Sequence, residues 1–140
     1  MTVNRIHNKG PYEYEEFVAG EAGIYPGMLL EENSSGKVIK HNSSGVVADK
    51  MFAMEDALQG NDVDDVYTNA NVVCCMIGQS GTVVNALLLA GVSYTVGAIL
   101  ESNGDGTLTT GTTYPIAVVE TACDLSGSGA SNTLSPVRLL

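Results

Sequence analysis

Short apolar runs recur along this 140-residue chain, and each ends in a cluster of Gly, Ser, Asn or Asp. This spacing is typical of short strands joined by tight turns. The segment 82–89 opens with Thr-Val-Val, and β-branched residues favour a strand over a helix there. We therefore predict an all-β protein, a small β-barrel or β-tulip-like domain. The predicted strands cover residues 28–31, 37–40, 46–48, 51–54, 72–77, 82–89, 114–120 and 137–140.

One pattern occurs twice. Gly27–Val38 aligns without gaps to Gly97–Leu108, and both read Gly-x-(Leu/Ile)-Leu-Glu-x-Asn-x-x-Gly-x-(Val/Leu). Asn and Gly supply the turn conformations of a β-hairpin, so each copy predicts a hairpin. Further along, Ala53–Ala57 loosely matches Val118–Ala122. Two hairpin-containing halves of one barrel would explain the repetition, and so would independent convergence on favourable turn chemistry.

The first twenty residues lack a regular apolar period, and we expect ordered structure to begin near Phe17. We therefore divide the chain into an N-terminal arm, residues 1–20, and a barrel domain, residues 21–140. The arm is expected to be flexible until it contacts another subunit or a partner, so removing residues 1–16 should leave a folded oligomer. The expected contact residues are basic, aromatic or apolar: Arg5, Ile6, Lys9, Tyr12, Tyr14 and Phe17.

The chain has a formal net charge of −10, and no Lys or Arg occurs between residues 51 and 137. A nucleic-acid binder needs a basic track that displaces counterions from phosphates, and this stretch offers none. Attraction to anionic lipids is disfavoured for the same reason. No apolar run has the length of a membrane span, and the N-terminus lacks the apolar core of a signal peptide. We expect neither a nucleic-acid nor a membrane partner.

Candidate metal and redox groups are few. The three cysteines include the adjacent pair Cys74 and Cys75, of which at most one should face the core of a sheet. Without a His or Cys-x-x-Cys beside them, we interpret them as reduced apolar residues. The loop around Asp105 resembles part of an EF-hand but has Thr112 where a bidentate Glu is required, so a hairpin turn is favoured. We expect no cofactor and no metal.

Candidate catalytic groups are also sparse. His41 has Ser43, Ser44 and Asp49 nearby, but neither a nucleophile elbow nor a supporting spacing accompanies them. No Gly-rich loop follows a strand and opens a helix, so a phosphate cradle is not predicted. We expect a protein that is not an enzyme.

The chain resembles bacteriophage head decoration (capsid cement) proteins. The resemblance covers residues 19–120 and lies in three segments: Tyr25–Glu31, Phe52–Gly60 and Leu89–Gly91 with Gly97–Glu101. It implies a barrel on the outer face of an icosahedral capsid, assembled in the bacterial host cytoplasm. It also implies homotrimers that bind the major capsid protein and bridge capsomers, with the arm residues at the capsid or subunit contact.

Two other classes remain open. A trimeric β-barrel enzyme of the dUTPase type would need a basic phosphate grip, which residues 51–137 do not supply. A phage tail or receptor-binding module would usually carry more aromatic residues on its loops.

Overall fold

The computed structural model describes residues 3–140 and is nearly all-β, with a closed five-stranded barrel. The predicted all-β fold class is therefore confirmed. The described residues contain one 3-10 helical turn, Ala57–Gln59, and it is too short to cross a membrane. The strands are β1 His7–Lys9, β2 Tyr12–Val18, β3 Leu30–Glu32, β4 Val38–Lys40, β5 Met51–Ala53, β6 Val72–Gly78, β7 Val83–Leu88, β8 Ser93–Tyr94, β9 Ile99–Ser102, β10 Leu108–Thr110, β11 Ala117–Val119, β12 Cys123–Asp124 and β13 Thr133–Leu139.

The closed barrel lies in the C-terminal part of the chain. Its strands follow one another in the order β7, β10, β9, β11 and β13, and β13 pairs again with β7. All these pairings are antiparallel except β7 with β10, which meet in parallel at Leu88 and Leu108. Closure leaves no unpaired strand at either end of this circuit.

The N-terminal part of the chain follows the same circuit. Strands β2, β6 and β5 form an antiparallel sheet, and an isolated bridge from Leu29 to Phe52 links β5 to the start of the β3–β4 hairpin. A parallel bridge from Ala19 to Val38 returns the circuit to the end of β2. We call residues 12–78 repeat 1 and residues 83–139 repeat 2.

The two repeats agree in register. Glu32 pairs with Val38 in the first hairpin, and Ser102 pairs with Leu108 at the equivalent position of the second, 70 residues further on. The parallel bridge of repeat 1 likewise corresponds to the parallel pair of repeat 2. Both predicted hairpins are confirmed. Matching registers outside the hairpins favour two equivalent units over convergence on turn chemistry alone. The units are not halves of one barrel, however, because the barrel of repeat 2 closes without a strand from repeat 1.

The loose match of Ala53–Ala57 to Val118–Ala122 is displaced by one residue from the equivalence in the structure. Gly27 donates its N–H to the carbonyl of Ala53 at 2.8 Å, and Gly97 donates to Val119 at 2.9 Å. Ala53 is therefore equivalent to Val119, whereas the sequence alignment placed it opposite Val118. Loops of unequal length separate the strands of the two repeats, so a single offset does not hold along the chain.

The interiors of the two repeats are apolar at corresponding positions, and Leu29, Phe52, Val63 and Met76 of repeat 1 pack into the cluster of repeat 2. Burial of these apolar side chains supplies the main driving force for folding. In repeat 1 the corresponding positions are Phe17, Ala19, Leu30, Val38, Met51, Ala53, Cys75 and Ile77. In repeat 2 they are Ala86, Leu88, Leu100, Leu108, Ala117, Val119, Val137 and Leu139.

The expectation that order begins near Phe17 is wrong. Strand β1 pairs antiparallel with β7, and all seven residues of β2 pair with β6. The chain therefore starts on repeat 2 and then crosses to repeat 1. Strand β2 escaped detection because it lies at an edge, where only Phe17 among its residues is half-buried. The predicted strand at residues 46–48 is also absent, since this segment belongs to an irregular loop.

Candidate functional site

The predicted contact residues separate into two groups. Ile6 is fully buried in the core of repeat 2, and Phe17 packs against the core of repeat 1. The remaining four, Arg5, Lys9, Tyr12 and Tyr14, are exposed. Met1 and Thr2, also assigned to the arm, lie outside the described residues. The structure thus leaves polar and aromatic side chains on the surface and uses the two most apolar ones internally.

Strand β2 has one open edge. Ala19 donates its N–H to Asn71 on the β6 side at 2.7 Å, so in an antiparallel ladder the odd-numbered residues of β2 face β6. The N–H groups of Tyr14, Glu16 and Val18 therefore point the other way. Among residues 3–140 they have no backbone partner, whereas the next outward group, on Gly20, donates to Val38 at 2.7 Å.

The equivalent edge of repeat 2 is occupied. The N–H groups of Asn85 and Leu87 in β7, and of Leu89 directly after it, point to this edge. They donate to the carbonyls of Ile6, Gly27 and Leu108 at 2.8, 2.9 and 3.0 Å. Ile6 lies next to β1, which covers the first part of this edge. Repeat 1 has no counterpart of β1 within the described residues.

An acidic groove adjoins the open strand. Its volume is about 370 Å³, and its lining includes Glu15, Glu32, Asp49 and Lys50 above an apolar floor that contains Phe17. Glu15 occupies the interior position that Val84 occupies in repeat 2, where the valine is fully buried. A carboxylate cannot be buried there without a large desolvation cost. The end of repeat 1 at Glu15 is consequently open to solvent.

A larger groove lies between the repeats. Its volume is about 620 Å³, with Tyr25, Pro26 and Met28 from repeat 1 and Leu87 and Leu134 from repeat 2 among its lining residues. Among the described residues that line it, Asp64 alone carries a carboxylate. Asp64 donates its own N–H to Asp62 at 2.9 Å within a turn, so the acids of this loop organise its backbone. An apolar wall with one carboxylate provides no acid–base pair.

His41 is the centre of a buried group of polar contacts. Its Nδ1 lies 2.6 Å from Ser102 Oγ, and its Nε2 lies 3.3 Å from the carbonyl of Val47 and 3.6 Å from Glu31 Oε2. The order Ser–His–Glu is that of a catalytic triad, but Ser102 is 2% exposed and also accepts a hydrogen bond from the N–H of Gly104. A substrate carbonyl has no approach to this buried hydroxyl.

The loop around Asp105 forms the predicted hairpin turn. Its carboxylate accepts hydrogen bonds from the N–H and the hydroxyl of Thr107. Partial burial would raise the pKa of Asp105, but the hydrogen bonds from Thr107 and Asn103 outweigh burial and lower it. Among residues 3–140 no three His, Cys, Asp or Glu side chains are grouped in a way that could hold a metal ion.

Both adjacent cysteines are buried, and only one of them faces the core, in agreement with the expectation for neighbours on a strand. Cys75 faces the core of repeat 1, and Cys74 faces the opposite side of β6. Cys74 is nevertheless buried, because β6 is covered on both sides. Burial raises the pKa of Cys75 to about 12, and all three cysteines are free.

Sequence reasoning missed the three glutamates of β2, Glu13, Glu15 and Glu16, although they flank its open edge. The alternation Tyr-Glu-Tyr-Glu at residues 12–15 was the available signal, since period two is the strand period. A scan against protein-family models finds no match to the chain, and a search of curated proteins finds no similar sequence.

Proposed function

We propose that this chain is a structural virion protein, which binds the outer surface of an icosahedral phage capsid and stabilises the shell by bridging capsomers. Two of the segments that resemble decoration proteins, Tyr25–Glu31 and Phe52–Gly60, are hydrogen-bonded to each other, and this observation carries the proposal. Gly27 and Met28 of the first segment exchange hydrogen bonds with Ala53 of the second, at 2.8 and 3.0 Å. Segments that resemble one family separately in sequence therefore form one folded unit.

The surface chemistry supports a scaffold role. Each repeat buries its sheet interior, and most of the chain from residue 51 onward is acidic or neutral. Such a protein stays soluble at high copy number and is attracted to basic partners. In this proposal the contact with the major capsid protein includes Arg5, Lys9, Tyr12 and Tyr14, and the assembled species is a homotrimer.

Absence of catalysis is part of the same proposal. The buried environment of Ser102 and His41 supports a structural role for that pair. A dUTPase-type enzyme would also require a phosphate grip, and the lack of Lys and Arg between residues 51 and 137 argues against one. Hydrolysis of dUTP well above background would contradict the proposal.

Co-sedimentation with capsids tests the function. Purified protein is mixed with empty shells assembled from the major capsid protein of the same genome, and with shells of an unrelated phage as the control. We expect saturable binding to the first shells only, with added density at three-fold positions in negative-stain images. Failure to bind either compact or expanded shells would overturn the proposal.

A further inference from the structure

We propose that the open edge of β2 is a docking site for an extended, basic polypeptide segment, which adds to repeat 1 as an antiparallel strand. Main-chain hydrogen bonds supply affinity in this binding mode, and side chains beside the strand supply selectivity. The inference concerns β2 itself and does not depend on the proposed capsid function.

The first support is the internal comparison. Tyr14, Glu16 and Val18 stand where Val83, Asn85 and Leu87 stand in repeat 2, by the equivalence of the β2–β6 and β7–β13 pairings. In repeat 2 a strand and a loop of the same chain take these outward N–H groups; in repeat 1, among residues 3–140, nothing does. The fold thus contains one filled and one unfilled copy of the same site.

The filled copy indicates the direction and size of the missing strand. Strand β1 is three residues long and antiparallel to β7, with His7 opposite Val84. Ile6, which precedes β1, accepts the hydrogen bond from Asn85 and inserts its side chain into the core. The unfilled edge is longer, since it extends from Tyr12 to Val18.

The second support is charge. Glu13, Glu15 and Glu16 are exposed on β2, and the only salt bridges of glutamates among residues 3–140 involve Glu21, Glu31 and Glu120. Glu32 and Asp49 add two carboxylates in the groove beside the strand, against the single cation Lys50. A bound segment that carries Lys or Arg at alternate positions would complement these carboxylates. An acidic segment would be repelled.

Acidic side chains also explain why the edge stays unpaired in the free protein. An edge strand with a row of free N–H and C=O groups invites pairing with another copy, and charged residues on that edge oppose it. Two copies of β2 would bring like charges together, whereas a basic segment would not. The same glutamates thus disfavour self-association and select a basic partner.

A defined peptide pair tests the site. The probe is the acetylated and amidated heptapeptide Lys-Val-Lys-Val-Lys-Val-Lys, and its control is the heptapeptide with Glu in place of Lys. We expect the lysine peptide alone to bind, as measured by isothermal titration calorimetry at low salt, and to slow hydrogen exchange at the amides of Glu16 and Val18. Equal binding of both peptides, or protection located elsewhere, would overturn the proposal.

Two variants distinguish strand pairing at the edge of β2 from nonspecific charge attraction. Glu16→Pro removes an outward N–H that the fold does not use, a position where edge strands accept proline. Its matched control, Glu16→Ala, removes the same carboxylate and keeps the N–H. We expect the proline variant to bind the lysine peptide about tenfold more weakly than the alanine variant, comparable to the loss of one hydrogen bond.

The remaining outcomes are also decisive. If Glu16→Pro fails to fold by circular dichroism, Glu15→Lys replaces it, and unchanged affinity of that variant for the lysine peptide would overturn the proposal. Sedimentation of the unmodified protein tests a second copy as the occupant. Oligomers that disappear in a folded edge variant would assign the edge to self-association and overturn the basic partner.

Discussion

Ser102 Oγ lies 2.6 Å from Nδ1 of His41, and this contact joins repeat 2 to repeat 1. Both side chains are almost completely buried. The backbone of His41 takes part in the same junction, because its carbonyl accepts the N–H of Gly106 at 3.2 Å. A polar contact therefore holds the two hairpins together where most of the surrounding packing is apolar.

Removing the imidazole should weaken this junction. His41→Ala leaves Ser102 Oγ with only the N–H of Gly104 and removes the imidazole from the carbonyl of Val47. We therefore expect a loss of about 1–3 kcal/mol in the free energy of unfolding. Urea denaturation measures it. His7→Ala, at a partly exposed position, is the control and should cost far less. Equal effects of the two substitutions would contradict the role given to His41.

The two equivalent turn glycines should differ in their tolerance of a side chain. Gly27 and Gly97 both have positive φ, of 90° and 85°. Alanine in the left-handed region costs about 1–2 kcal/mol, so both variants should lose stability. A methyl group at Gly27 would also collide with the side chain of Leu134, whereas that at Gly97 meets nothing within 4 Å. Thermal denaturation should show a clearly larger loss for Gly27→Ala.

The N-terminal truncation should unfold the protein. Removing residues 1–16 deletes β1 and most of β2, exposes the edge of β7 and removes the buried Ile6. This outcome reverses the sequence-based expectation of a folded oligomer. Ile6→Ala provides a graded version with an expected cost of about 2–5 kcal/mol, and Asn8→Ala at an exposed position is its control. A cooperative, native-like melting curve for the truncated chain would contradict the prediction.

Asp105 should contribute to stability in a pH-dependent way. Its pKa is lowered from the ordinary value of 3.8 by hydrogen bonds from Thr107 that outweigh partial burial. A lowered pKa in the folded state stabilises the fold above the unfolded pKa, and the contribution is lost as pH falls through the folded value. The stability difference between the natural chain and Asp105→Asn should therefore shrink from pH 6 to about pH 2. A constant difference would be inconsistent with this linkage.

Thiol labelling should distinguish the three cysteines. Cys74 and Cys75 are buried, and the raised pKa of Cys75 leaves little thiolate at neutral pH. Cys123 is half-buried, and a maleimide reagent should modify it first in the native protein. The variant Cys123→Ser should remain unlabelled until denaturant is added. Rapid native labelling of that variant would show that β6 opens readily.

Periodicity and turn chemistry predicted the fold class and both hairpins because these features are local. Gly27 and Gly97 mark equivalent turns whose sequences are complete within a few residues. The pairing of β1 with β7 could not be predicted in the same way, since it depends on contacts between residues about 75 positions apart in the chain. The open edge of β2 was also inaccessible, because it becomes visible only when the two repeats are compared in three dimensions.

Strand β1 has a mechanical consequence. The repeats are joined covalently by residues 79–82, and β1 pairs the beginning of the chain with repeat 2. A force that pulls residue 10 away from repeat 2 must shear the hydrogen bonds of β1 and extract Ile6 before the repeats can separate. Unfolding by heat or denaturant must disrupt the same pairing of β1 with β7. The two halves are thus expected to unfold together in one transition, as a single cooperative unit.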